Sequence, residues 1–198
     1  MSLEPLSFER EAQRYFHYFL DKFNSLDLNY VIQVSQVIFS CIKNKNSIYV
    51  CGNGGSASLS QHFVVDLGVG LSRKTKSNGC RIVDLTSNAA VLTATANDAS
   101  YQEVFSHQID LYGNPGDLLI VISSSGNSEN IINAVQAASQ RGMKTIGLTG
   151  FDGGEIKSKV NYSIHVRTEI GEYGVVEDSH SFVLHLLTHL VKKQIEAI

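Results

Sequence analysis

Leu118-Leu119-Ile120-Val121-Ile122 is apolar without a break, and stretches patterned for helix flank it on both sides. A strand of that kind has no face to offer water, so it belongs inside a sheet covered on both sides. Four more short runs are strand-like: Ile48-Tyr49-Val50-Cys51, Arg81-Ile82-Val83-Asp84-Leu85, Lys144-Thr145-Ile146-Gly147-Leu148 and Tyr162-Ser163-Ile164-His165-Val166. Helical patterns separate them: one through Gln61 and Asp66, one over 88–96, one through 134–138, and a closing one from near Val176 to Ile195. This alternation predicts an α/β fold, a three-layer αβα sandwich around a parallel sheet. Ahead of it, Phe8, Tyr15, Phe16, Phe19, Leu20 and Phe23 recur at helical spacing, and a second such pattern covers 28–43. Residues 8–44 are therefore predicted to form an N-terminal helical hairpin, with apolar stripes for packing or subunit contact.

Two prolines, Pro5 and Pro115, and no low-complexity stretch leave nothing to mark a linker, so residues 1–198 read as one domain. A chain 43% hydrophobic and 18% charged can bury a core. A net charge of −3 with no basic block argues against a nucleic-acid partner. No apolar run approaches the ~20 residues of a membrane span. The polar, acidic start lacks the pattern of a secretory signal. Cys41, Cys51 and Cys80 are odd in number and widely spaced, as expected of reduced thiols. A cytoplasmic protein is expected.

Two strands run directly into small polar turns. Cys51-Gly52-Asn53-Gly54-Gly55-Ser56 follows the first, and Ser123-Ser124-Ser125-Gly126-Asn127-Ser128 follows the third. Each turn presents hydroxyls and backbone N–H groups at a helix start, where an anionic phosphate is stabilised. Ser56, Ser123, Ser125 and Ser128 are candidate donors to phosphate oxygens. Capped turns with no ligand are the alternative. Neither turn ends in the GKS/GKT of a nucleotide loop, and Gly52-Asn53-Gly54-Gly55-Ser56-Ala57 lacks the third glycine of a dinucleotide fingerprint. Two such turns at the carboxyl edge of one sheet point to a sugar phosphate.

His62 and Asp66 are spaced i, i+4 on the helix after the first turn, so both side chains converge on one point. An imidazole and a carboxylate suit zinc, which takes four ligands. A local His–Asp hydrogen bond is the alternative.

CGNGGSA followed by QHF, then TANDASYQEVF, SSSGNSENI and LTGFDGG, resembles the sugar isomerase (SIS) domain family over almost the whole chain. The resemblance implies aldose–ketose isomerisation of a seven-carbon sugar phosphate, sedoheptulose 7-phosphate or a close relative, within heptose synthesis for surface polysaccharide. It implies phosphate on Ser123, Ser124, Ser125 and Ser128, and sugar contacts from Asn53, Gly54, Gly55, Asn97 and Asp98. It also implies zinc and acid–base chemistry at His62, Asp66, Glu177 and His185, and a homotetramer with active sites between subunits. In this assignment Asp66 is the base and His185 the partner acid. Asp66 stands where the family usually has glutamate, Glu177 where it has glutamine, Gly70 where it often has arginine, and Gly174 where it has aspartate. These departures keep another ketose phosphate open as the substrate. Relatives that only sense sugar phosphates or bind a replication initiator supply a non-catalytic alternative. Along one helix, Glu177 and His185 stand about 12 Å apart. Either Glu177 precedes the regular helix, or the two residues serve sites through different subunits; the second is expected. Asp178, His180 and His189 share that helix as supporting or packing groups, and His17, His107 and His165 are expected to be structural or exposed.

Overall fold

The computed structural model describes residues 7–75 and 80–197. Pro5 and the start of the chain lie outside the described residues. Helices α1 (Phe8–Asn24) and α2 (Leu28–Lys43) are the two helices expected at the N-terminal end. Asp27 caps α2 by accepting from the Tyr30 N–H at 3.1 Å. The sheet then follows as β1 (Ser47–Gly52), β2 (Arg81–Asp84), β3 (Leu118–Ser123), β4 (Lys144–Thr149) and β5 (Tyr162–His165). Its order is β2-β1-β3-β4-β5 and every pairing is parallel.

Helices α3 (Gly55–Val64), α4 (Gly70–Thr75), α5 (Ala89–Asp98), α6 (Ser106–Tyr112), α7 (Glu129–Gln140), α8 (Ile156–Lys159) and α9 (Tyr173–Glu196) complete the chain. Between α3 and α4, Val65–Val69 winds as a π-helical turn. The sequence pattern reads this stretch as continuous α-helix, because a spacing of four does not separate the two. The closing helix also starts earlier than the Val176 expected from the pattern, at Tyr173, so it includes Gly174.

Every residue of β3 is buried, as its unbroken apolar run requires. Ile120 and Ile122 point to the core shared with Ile38, Phe63, Val183 and Leu187 of α2, α3 and α9. Leu119 and Val121 point to the opposite core, with Phe105, Ile109, Ile131 and Val135. Each fully buried aliphatic side chain contributes roughly 1.5–3 kcal/mol relative to exposure. These two cores hold the helical layers against the sheet. By contrast, α1 buries none of its residues, and Phe8 and Phe16 are 81% and 57% exposed.

Order β2-β1-β3 means the chain moves outward from β1 to β2, then returns to add β3 on the other side. Ligands of open parallel sheets bind at such a reversal, beyond the carboxyl ends of the strands. Gly52 of β1 lies in register with Ile122 of β3, so the turns that leave these strands stand side by side.

Among the described residues all three cysteines are free. Burial pushes the thiols of Cys41 and Cys80 up to about 12 and about 11, leaving them inert near neutrality. His180 of α9 is fully buried, and neither ring nitrogen has a hydrogen-bond partner among the described residues. Burial pushes its pKa down to about 4, only partly opposed by the nearby Thr149 backbone. A histidine held neutral in the fold, with an unfolded value near 6.5, contributes its stability above pH ~6.5. That contribution is lost as pH falls from ~6.5 toward ~4, by about 3 kcal/mol in full. The melting temperature should therefore drop between pH 7 and pH 5, and less steeply in His180→Leu. Identical slopes in the two proteins would remove His180 from this role.

Candidate active site

The first turn closes tightly on itself. A side chain at Gly52 would lie 2.7 Å from the Ser56 backbone, so only glycine lets α3 start so near the strand end. Ser56, in the first turn of α3, is 4% exposed. Gly55 carries the carboxylate of Glu177 directly over the position a β-carbon would take. The Glu177 carboxylate thus sits at the positive end of α3.

The second turn is built by its own serines. Ser123 Oγ accepts the Gly126 N–H at 3.1 Å, and Ser125 Oγ accepts the Asn127 N–H at 3.2 Å. Ser128 is the N-cap of α7, yet its hydroxyl makes no capping bond. It is therefore available to a ligand, together with the N–H groups of the first turn of α7.

The two turns face one cleft of about 150 Å³. Asn53, Ser56, Ser123, Ser124, Ser125 and Ser128 line it, with Ile122 beneath and Tyr173 and Glu177 of α9 across it. Asn53 is fixed by a reciprocal amide pair with Asn130, at 2.9 and 3.0 Å, and by the Tyr101 hydroxyl, which donates to its Oδ1 at 3.0 Å. Tyr101, Asn130 and Tyr173 escape sequence reasoning, although each leaves a trace. Tyr101 belongs to the TANDASYQEVF segment, Asn130 lies two residues past Ser128, and Tyr173 lies one helical turn before Glu177. Asn97 and Asp98 end α5, where the Asn97 amide donates to Asp98 at 2.9 Å. They are not among the residues lining the cleft.

A second group forms where α3 and α9 run side by side. His62 Nε2 and His185 Nε2 are 2.9 Å apart, and Asp66 Oδ2 lies 3.2 Å from the first and 3.3 Å from the second. Asp66 belongs to the π-helical turn, a distortion that recurs at functional sites. Two imidazole nitrogens so close share at most one proton, and all three atoms aim at one point. Two neutral imidazoles and a carboxylate are a donor set that fits zinc, with a position left open. A His–Asp–His hydrogen-bond network is the metal-free state of the same geometry.

Glu177 is not in this group. It lies inside α9 rather than ahead of it, eight residues before His185 and about 12 Å away along the axis. Gly55 meets Glu177 and His62 meets His185, so α3 and α9 run in the same direction with one functional group at each end. Of the neighbouring side chains, His180 is buried, whereas Asp178 and His189 are exposed. His165 is half-buried, with Nδ1 3.1 Å from Thr149 Oγ1.

The chain with this serine-lined cleft and this His–Asp–His cluster has similar proteins of known family. The SIS domain profile matches residues 13–150. The chain belongs to the SIS domain family. It is 37% identical over 167 residues to a phosphoheptose isomerase of Coxiella burnetii, covering 83% of this chain and 82% of that one. A phosphoheptose isomerase of Chromohalobacter salexigens is 39% identical over 162 residues, 81% of each chain. The solved structure of phosphoheptose isomerase from Neisseria gonorrhoeae superposes with a TM-score of 0.84 at 29% identity, covering 97% of this chain and all of that one. The family model ends before α9, and the likeness to the gonococcal structure carries on through it.

Proposed function

We infer that this chain is a sugar-phosphate isomerase that converts sedoheptulose 7-phosphate to the corresponding aldose phosphate. The observation that carries it is the serine cleft at the sheet reversal, joined by α3 and α9 to the cluster of His62, Asp66 and His185. Phosphoheptose isomerases similar over four-fifths of the chain or more support the same substrate. Supply of heptose for surface polysaccharide, in the cytoplasm, is the setting such a product fits.

The phosphate rests on Ser56, Ser123, Ser125 and Ser128 and on the N-terminus of α7, which hold it without reacting, while the Glu177 carboxylate occupies the start of α3. Asp66 takes the proton from C1 of the open-chain ketose, leaving an enediolate. His185 gives a proton to the C2 oxygen and takes the one on the C1 oxygen. Return of a proton to C2 completes the aldose, with atoms and charge conserved. Asp66 meets both imidazoles through Oδ2, which leaves its other oxygen for the proton. Zinc is the proposed cofactor, and His62, Asp66 and His185 would hold it; Lewis-acid polarisation of the carbonyl would then stand in for the proton that His185 Nε2 gives in the metal-free cluster. Incubating the purified protein with a panel of ketose phosphates, with and without zinc, tests the assignment. Aldose formed from sedoheptulose 7-phosphate is the expected result; tight binding without conversion of any sugar would make the protein a sensor.

The site is proposed to be composite, within a homotetramer. Glu177 and the His62/Asp66/His185 cluster lie too far apart in one chain to act on the same ion, and the uncovered aromatic face of α1 suits a subunit contact. On this basis Glu177 and the serine cleft of one subunit work with the cluster of another. Co-expressing Ser128→Asp, which keeps a good N-cap but repels phosphate, with Asp66→Asn should restore roughly a quarter of wild-type turnover in mixed oligomers. Mixed oligomers as inactive as either parent would place the whole site within one subunit.

A further inference from the structure

The serine cleft, at about 150 Å³, is smaller than the ~300–1,000 Å³ of sites that enclose small molecules. It holds a phosphate, and the carbon chain must leave it. Tyr173 and Glu177 form the far wall. At the same first turn of α9 a second cavity of about 510 Å³ opens toward α1, lined by Glu11, Arg14, Tyr15, Tyr18, Glu169 and Glu172. Some of its polar groups are engaged. Arg14 pairs with Glu11 at 3.0 Å, and the Tyr18 hydroxyl accepts the Glu169 N–H at 2.9 Å. Tyr15 differs: its hydroxyl makes no hydrogen bond among the described residues, and it stands 2.7 Å from where a β-carbon at Gly174 would be. Gly174 lies between Tyr173 and Glu177, so a glycine there opens the helix surface beside the cleft and the phenol fills the opening. Burial, then Asp178 and Glu172, push the Tyr15 pKa up, so the phenol keeps its proton.

We propose that Tyr15 is a specificity-determining residue, whose hydroxyl donates a hydrogen bond to a hydroxyl on the sugar chain between the phosphate and the reacting carbons. This rests on the isomerase assignment above. Tyr15→Phe keeps the ring and removes only the donor. It should raise KM for sedoheptulose 7-phosphate about tenfold and leave kcat within about twofold, the pattern of binding lost equally in ground and transition states. Gly174→Ala, whose methyl displaces the hydroxyl, should do the same. Inhibition by inorganic phosphate should not change in either variant, which separates a sugar contact from damage to the serine turns. Calorimetric titration with sedoheptulose 7-phosphate and with inorganic phosphate gives the same comparison without turnover. A wild-type protein that binds the sugar phosphate but converts none would end the isomerase assignment, and the ratio of the two affinities in Tyr15→Phe would still decide the contact. An unchanged KM and affinity ratio, or an equal loss for inorganic phosphate, would overturn the role of Tyr15.

Discussion

Asp66→Asn is expected to lower kcat for sedoheptulose 7-phosphate by about 10²–10⁴-fold, the usual weight of one general acid–base group. The substitution keeps size and shape but removes the basic oxygen, so the C1 proton has nowhere to go. His185→Ala should fall in the same range. His62 remains beside Asp66 in that variant, but the imidazole 3.3 Å from its Oδ2 on the α9 side is gone. Both proteins should bind inorganic phosphate as the wild type does, since the serine turns lie at the other end of the α3/α9 pair. Steady-state kinetics with phosphate as competitive inhibitor reads both quantities at once. Turnover within a few-fold of wild type in either variant would take that residue out of the mechanism.

Gly126→Ala should do the opposite kind of damage. Gly126 has φ +67°, and a methyl there would collide with the Gly153 carbonyl. Its N–H donates to Ser123 and its carbonyl accepts from the Ile156 N–H at 3.0 Å, so the residue cannot swing away without breaking the second turn. Left-handed backbone at a non-glycine residue costs about 1–3 kcal/mol, and overpacking a similar amount. A combined loss of roughly 3 kcal/mol would lower Tm by about 10 °C in a chain of this size. Phosphate affinity should fall with it, because Ser123, Ser125 and Ser128 lose their common frame. A Tm within about 1 °C of wild type, measured by calorimetry, would mean that the turn relaxes freely.

Why the sheet could be read from the chain is clear in β3, whose five apolar residues in a row admit no exposed face. The turns were legible for a related reason, since glycine and serine between a buried strand and a helix leave few roles other than caps or anion sites. Other features depend on contacts that no local pattern encodes. The closing helix is expected from near Val176, yet α9 begins at Tyr173 and takes in Gly174, over which the Tyr15 hydroxyl sits. The short helices α6 and α8 carry too few residues for a periodic signal. The π-helical turn inserts its extra residue per turn without removing the i, i+4 pairing of His62 and Asp66, so the sequence pattern does not set it apart from α-helix. His62 and Asp66 are a visible pair, but His185 stands 123 residues from His62 and is joined to it by packing of α9 on α3. Likewise, nothing near Asn53 announces that Tyr101 and Asn130 hold its amide.

The central claim is that the cluster moves a proton between C1 and C2 of a sugar anchored by its phosphate. Running the reaction in D₂O with sedoheptulose 7-phosphate and following the product by NMR tests it most directly. A carboxylate as accessible as Asp66, 29% exposed in its side chain, should exchange its proton with solvent, so the aldose phosphate should carry deuterium at C2. Asp66→Asn should form product and take up deuterium about 10²–10⁴-fold more slowly. An aldose phosphate with only protium at C2, formed at the same rate by the wild type and by Asp66→Asn, would contradict proton transfer through an enediol on Asp66.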